Sequence, residues 1–358
     1  MSQKKILIFP AGMPRSLEYL KKCERDGRAV IGSSSLAYDP ARGKYPEWMH
    51  LPYVTDPLFD EALKQAVIER DVGEIYTPNA VVWNYLNQNL GRMMPGVVLA
   101  NASPVDEVLR GYREALAKAR YFLVNQIHLS SEVSCRPLPS KIEIAGLIRY
   151  AEIIPGMCDD DKFHALLEVA RRAVEGDIVE IGSWWGKSAF IFCWLARYFG
   201  IGKLLCVDPW TNEHLVQGEK IVDSGSAQVD AEEALQVFQI GLLPFNANHI
   251  NYLRMTSVEG AVQYAVNRLA SSAVFGETAY AGGIAILHID GNHSYEAVKA
   301  DIESWQPFMR EGGWIIFDDY VWPFGDGPQR VGDEFLEGSR CGITTAFVMG
   351  TALFIQLS

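Results

Sequence analysis

Three carboxylates, Asp290, Asp318 and Asp319, and two imidazoles, His288 and His293, lie within a short stretch late in the chain that ends at Tyr320. Asp290 follows the apolar run IAILHI and Asp318-Asp319 follow WIIF, so each acidic group closes a segment that reads as a buried strand. Neighbouring strands of an open parallel sheet end at one edge, and ligands bind in the crevice there. Asp290, Asp318 and Asp319 are therefore expected to converge. Three hard oxygen donors at one point suit Mg²⁺, which keeps some waters and takes substrate oxygens in its remaining positions. His293 follows Asp290 by three residues and is expected to take a proton from the activated hydroxyl, since imidazole titrates near neutral pH. His288, inside the apolar run, reads as a core residue.

A second group lies upstream, in Glu180-Ile-Gly182-Ser183-Trp184-Trp185-Gly186-Lys187-Ser188. Glycines between a strand and a helix let backbone approach a ligand, and the helix start offers unpaired N–H groups. A phosphate-binding Walker loop needs four residues between its first Gly and Gly-Lys-Ser, and here Ile181 stands where that Gly belongs. The dinucleotide fingerprint GxGxxG is absent as well. Asp208 ends the next strand-like run, where a carboxylate can accept both hydroxyls of a ribose. Thr256, Ser257 and Glu259 follow the run INYLRM, a place for adenine contacts. Trp184 and Trp185 either pack on a cofactor or fill core, and Trp210, Trp322 and Phe324 either wall an acceptor pocket or anchor loops. The Gly- and Pro-rich stretch 321–330 that follows the acidic pair is a candidate lid.

The elements that must position these groups alternate strand and helix. Residues 5–9, 29–33, 74–77 and 97–100 read as strands separated by helical patterns such as 16–25 and 59–70, which predicts a parallel doubly wound sheet over about the first 125 residues. A helical, then Ser- and Pro-containing connector spans 126–160, with the boundary expected near Pro137. From Asp161 an amphipathic helix leads into strands at 177–181, 203–208, 250–255, 284–290 and 314–319, with one helix inserted near 230–240. The last residues read as two strands joined by a Gly turn. The expected fold is α/β: two doubly wound Rossmann-like domains, 1–125 and 161–358.

The form E-x-G-x-x-x-G at Glu180 to Gly186, with Asp208, Asp290, His293 and Asp318-Asp319 at their spacings, resembles class I S-adenosylmethionine-dependent methyltransferases. The segment from Asp177 to Tyr320 is similar to the family of macrocin O-methyltransferase and the so-called cephalosporin hydroxylases, and more distantly to catechol O-methyltransferase. The resemblance implies a seven-stranded sheet with a C-terminal antiparallel hairpin. It implies S-adenosylmethionine held by Glu180, Gly182, Ser183, Trp184, Gly186, Ser188, Asp208, Ser257 and Asp290, with Mg²⁺ on Asp290, Asp318 and Asp319 and His293 as general base. Asp318-Asp319 stands where the macrolide enzymes carry Glu-Asp, which shortens one ligand. A sugar, glycan or secondary-metabolite hydroxyl is the implied acceptor. The first hundred residues resemble the pre-ATP-grasp subdomain, but a methyltransferase-like segment stands where the ATP-binding core would follow. Two rival readings remain: a non-catalytic protein that binds S-adenosylmethionine or a nucleotide, and an accessory subunit of an ATP-grasp ligase.

Composition narrows the partners. The 358 residues carry a formal charge of −12, which repels phosphate backbones and anionic membranes, so neither nucleic acid nor membrane is an expected partner. No apolar run approaches the roughly 20 residues needed to span a bilayer. The start MSQKKILIFPAG lacks the order of a signal peptide. Cys23, Cys135, Cys158, Cys193, Cys206 and Cys341 are scattered, with no metal-binding spacing, as in a reducing cytoplasm. A small-molecule or glycan substrate and a homo-oligomeric assembly are expected.

Overall fold

The computed structural model describes residues 4–216, 223–224, 228–245, 248–338 and 342–358, so Cys341 lies outside the described residues. The chain divides into two compact units, Met1–Arg113 and Glu114–Ser358.

In the first unit β1 (Lys5–Ile8), α1 (Pro14–Arg25), β2 (Val30–Ser34), β3 (Glu47–His50), α2 (Phe59–Arg70), β4 (Val72–Tyr76), α3 (Ala80–Met93) and β5 (Val98–Leu99) follow one another. The five strands pair in parallel in the order β3-β2-β1-β4-β5. Alternation along β1 sends Leu7 to the face covered by Phe59, Leu63 and Leu86, and Ile6 and Ile8 to the face covered by Leu20 and Cys23. A sheet buried on both faces is what the nearly continuous apolar runs require. The edge strand β3, part-exposed and interrupted by charge, was not legible as a strand in the sequence.

The boundary between the units falls inside a long helix, α4 (Pro104–Val124). This moves the division well ahead of the expected one near Pro137. The connector belongs to the second unit, where Ala115, Ala119 and Phe122 of α4 and Ile144, Leu147 and Ile148 of α5 (Lys141–Ala151) enter its main core. Ser140 and Glu143 close a capping box at the start of α5, a signal the Ser- and Pro-rich composition before it had masked.

The second unit continues with α6 (Asp160–Ala170), β6 (Asp177–Ile181), α7 (Lys187–Phe199), β7 (Leu204–Val207), α8 (Ala231–Leu242), β8 (Ile250–Leu253) and α9 (Ser257–Asn267). The short hairpin of β9 (Leu269–Ser272) and β10 (Gly276–Ala279) comes next. It is followed by β11 (Ile284–Ile289), α10 (Tyr295–Trp305), β12 (Met309–Phe317), α11 (Gly327–Gly338), β13 (Ile343–Met349) and β14 (Ala352–Leu357). The seven-stranded sheet runs β13-β14-β12-β11-β6-β7-β8, with all strands running the same way except β14, which pairs antiparallel with both β12 and β13. The hairpin β9–β10 was not anticipated. Strand order reverses between β6 and β11, which opens a crevice at their carboxyl ends.

That crevice is built on a close backbone approach. A Cβ on Gly182, whose φ is +79°, would lie 2.0 Å from the carbonyl oxygen of Asp290. Gly200, the αL cap of α7, has φ +64° but open space around it. Alanine at Gly200 is expected to lose only the αL penalty of about 1–2 kcal/mol. Alanine at Gly182 must add to that a displacement of the Asp290 turn. Urea unfolding of the two variants tests this: a Gly182→Ala loss no larger than that of Gly200→Ala would contradict the close approach.

Candidate active site

Strand register decides which groups meet. His288 is directly opposite Glu180 on one side and Ile316 on the other, and Glu180 is opposite Cys206. Glu180 and His288 stand two residues beyond Ile178 and Ile286, whose side chains join the core beneath α6 and α7. Alternation therefore turns both polar groups inward, toward those helices. Each is fully buried, and burial of this kind demands partners. Glu180 accepts from Ser183 Oγ at 2.7 Å and lies 3.2 Å from His288 Nδ1, with Cys206 Sγ at 3.7 Å.

The partner that the sequence reading missed is Lys162. It lies in the first turn of α6, where Asp159 caps the helix by accepting from the Lys162 backbone N–H. Its side chain is 1% exposed, and its ammonium group bonds Asp318 Oδ2 while lying 3.8 Å from Asp290 Oδ2. His288 Nε2 approaches the same two oxygens, at 3.6 Å from Asp318 and 4.0 Å from Asp290. The other oxygen of Asp318 accepts the Asp319 N–H at 3.0 Å, with Thr351 Oγ1 3.5 Å away. A clue was present: Lys162 shares the inward stripe of Leu166 and Ala170, where an unpaired charge would be intolerable. His288 is accordingly a member of the site rather than a passive core residue.

Nearer the mouth, His293 Nε2 lies 3.2 Å from Asp319 Oδ2 and 4.0 Å from Asp290 Oδ1. Asp319 is turned toward it by a positive φ of 49°. The Trp322 ring sits 4.5 Å from the imidazole, with Phe324 5.6 Å beyond it. Of the candidate lid, 321–326 is loop and the remainder begins α11. There Gly327 packs so closely that a Cβ would lie 2.2 Å from the His293 carbonyl oxygen.

The electrostatics follow from this arrangement. Burial and the neighbouring Asp318 charge push Asp290 up, to about 7, against the pull of Lys162. Asp318 is driven well below the usual carboxylate range because Lys162 and His288 outweigh its burial. Burial and Asp318 raise Asp319. Burial and Lys162 oppose the charged form of His288, but bonds to Asp318 and Glu180 prevail and lift it to about 9. His293 is also raised: Asp290, Asp319 and Asp318 overcome its desolvation.

The remaining expected cofactor residues are distributed along the same crevice. Asp208 ends β7 and ties down the turn, accepting from the Ser183 and Trp184 N–H groups at 2.9 and 3.0 Å through one oxygen and from Trp210 N–H at 2.7 Å through the other. The Asp208 carboxylate is thus engaged with backbone N–H groups at the crevice. Gly186, at φ +92°, makes room for Phe238 of α8, and Ser188 is buried in the first turn of α7. Ser257 accepts from Trp305 Nε1 at 2.9 Å. It also bonds the buried Asp301, which burial raises to about 6 and which sequence reading did not single out. Asp301 Oδ2 lies 3.5 Å from the Cβ position of Gly291 and so borders the Asp290 loop. Thr256 and Glu259 form the capping box of α9. Trp210 is core, packed on Phe238 and Tyr252, and Trp184 and Trp185 lean on each other at its margin.

The three carboxylates expected to share one Mg²⁺ do come to one edge, but in two groups: Asp290 and Asp318 with His288, and Asp290 and Asp319 with His293. In the first, a lysine ammonium already lies against the oxygens that would ligate. In the second, the third donor is an imidazole, a poor ligand for Mg²⁺. The residues present do not fit the expected three-carboxylate Mg²⁺ centre.

Residues 179–320 match the model of a family described as a methyltransferase domain. This stretch is a methyltransferase domain. A curated relative, an uncharacterised protein of Acanthamoeba polyphaga mimivirus, is 47% identical over 38 residues, which cover 11% of this chain and 17% of that protein. Among solved structures, the O-methyltransferase NovP is 14% identical, with a TM-score of 0.40, over 61% of this chain and 82% of its own. A calicheamicin methyltransferase is 15% identical at 0.41, over 72% and 94%. The mycinamycin-pathway methyltransferase MycE, solved with Mg, S-adenosylhomocysteine and mycinamycin VI, is 16% identical at 0.31, over 51% and 45%. No described helix is long and apolar enough to cross a membrane.

The raised His293 pKa yields a signed prediction. Since the facing carboxylates hold its proton, Asp319→Asn is expected to lower the His293 pKa, measured by NMR titration of the imidazole. An unchanged value would mean that the 3.2 Å contact does not exist in solution.

Proposed function

We propose that the second unit transfers a methyl group from S-adenosylmethionine to a hydroxyl of a small polyhydroxylated acceptor, a sugar, glycan or secondary metabolite, with His293 as general base. The observation that carries this reading is the placement of His293 at the mouth of the switch-point crevice, with Nε2 directed at Asp319 and Asp290. An acidic crevice complements the sulfonium and ammonium charges of the cofactor, and Asp290, Asp208 and the turn Gly182-Ser183-Trp184 border it. When bound, S-adenosylmethionine supplies an electrophilic methyl and leaves as the neutral thioether.

The chain's own residues do the rest. His293 takes the acceptor's hydroxyl proton at the ring nitrogen that does not face the carboxylates as the oxygen–carbon bond forms, and Asp290 and Asp319, facing Nε2, stabilise the imidazolium that results. Alignment of acceptor oxygen and methyl accounts for much of the acceleration. Trp322, beside the imidazole, and Phe324, 46% exposed, offer apolar faces on which a sugar ring can rest. The mismatch between the donor groups and Mg²⁺ leaves no step that depends on it. For the first unit, whose sequence resembles the pre-ATP-grasp subdomain, acceptor recognition or assembly is proposed in preference to ligation.

Calorimetry with S-adenosylmethionine and mass spectrometry of a glycoside panel with labelled cofactor test this reading. His293→Ala is expected to lower kcat about 10²–10⁴-fold while leaving cofactor affinity within about threefold. Undiminished turnover in that variant would remove His293 from the chemistry, and failure to bind S-adenosylmethionine would remove the function.

A further inference from the structure

We propose that Lys162 is a built-in cation that does the work of a divalent metal in this site, and that the carboxylates it holds acquire metal affinity only when its ammonium group is removed. The proposal deepens the methyl-transfer reading, although its metal-binding arm stands without it.

The argument begins with charge. Glu180, Asp290, Asp318 and Asp319 crowd one sheet edge, and such a cluster needs compensating cations before it can be buried. A metal centre provides them from outside. Here the chain provides them, through Lys162 and the two histidines. The lysine is placed on the axis that an ion bridging Asp290 and Asp318 would use, since it bonds Asp318 Oδ2 and lies 3.8 Å from Asp290 Oδ2. Metal–oxygen bonds of about 2.0–2.6 Å to the same two oxygens would put an ion almost in contact with the ammonium. The two cations exclude each other.

The framework holds the lysine there. Asp159 caps the first turn of α6, and Gly350 in the β13–β14 turn leaves room for that carboxylate, which a Cβ would approach to 2.6 Å. Both Asp318 oxygens are engaged, Oδ2 with the ammonium group and Oδ1 with the Asp319 N–H. With a side chain 1% exposed, Lys162 is out of an acceptor's reach. It is a positioning residue: it fixes Asp318 and Asp290, and Asp290 in turn faces His293.

The test is a Mn²⁺ titration of the full chain, followed by the electron paramagnetic resonance of free Mn²⁺, with differential scanning calorimetry on the same samples. The wild type and Lys162→Arg, which keeps the charge, are expected to leave Mn²⁺ free and to show no thermal shift. Lys162→Met is expected to bind one Mn²⁺ at least about tenfold more tightly and to be stabilised by it. Methyl transfer by the wild type is expected to survive chelator treatment unchanged. One-to-one Mn²⁺ binding by the wild type, or chelator-sensitive transfer restored by Mg²⁺, would overturn the proposal. So would a folded Lys162→Met that remains blind to Mn²⁺. Should that variant not fold, the wild-type titration and the chelator arm still decide. A chain that transfers no methyl to any acceptor would sink the methyl-transfer reading while leaving the Mn²⁺ comparison intact.

Discussion

The buried pairing of Lys162 with Asp318 is the constraint on which the rest of the site depends. A lysine with 1% exposure beside an aspartate with 5% is stable only as a matched set, because removing either partner strands a charge in a medium that cannot solvate it. Matching fixes the start of α6 against the end of β12, and thereby sets the depth at which Asp290 and Asp319 emerge into the crevice. His288 and Glu180 extend the network across β11 and β6. Chemistry at His293 thus rests on a polar layer that no acceptor touches.

That layering gives the site two zones with opposite demands. The inner zone holds buried charges that face one another. The outer zone holds a carboxylate raised to about 7 at Asp290, another raised at Asp319, and an imidazole between them with an aromatic cover. Titratable groups shifted by burial and by one another at a crevice mouth suit proton transfer. The inner zone keeps Asp318 ionised and so shapes the field that its neighbours feel.

Much of this was legible in the sequence. The apolar runs around Ile178, Leu205, Leu287 and Ile316 are strands because their two-sided burial demands continuous hydrophobicity, and their order placed Asp290, Asp318 and Asp319 at one edge. The charged partner from a distant helix was not legible. Lys162 is 128 positions before Asp290, and nothing local marks it except its place on the inward face of α6. The expected three-carboxylate metal set counted the donors without the lysine that lies against two of them. Asp208 and Glu259 follow strand ends as expected, and the contacts they make with a turn and a helix cap are ones that strand order alone does not reveal. The connector was misread because composition near Pro137 suggests a linker, whereas the apolar stripe of α5 and its capping box incorporate it in the core.

The central claim is energetic coupling between Lys162 and Asp318, and a double-mutant cycle measures it directly. Unfolding free energies would be compared for the wild type, Lys162→Met, Asp318→Asn and the double variant. Each single substitution is expected to lose about 3–5 kcal/mol, and the double substitution to recover enough that the coupling energy exceeds about 2 kcal/mol. Losses that add to within about 0.5 kcal/mol would mean that the two side chains act independently, and the account built on their pairing would be contradicted.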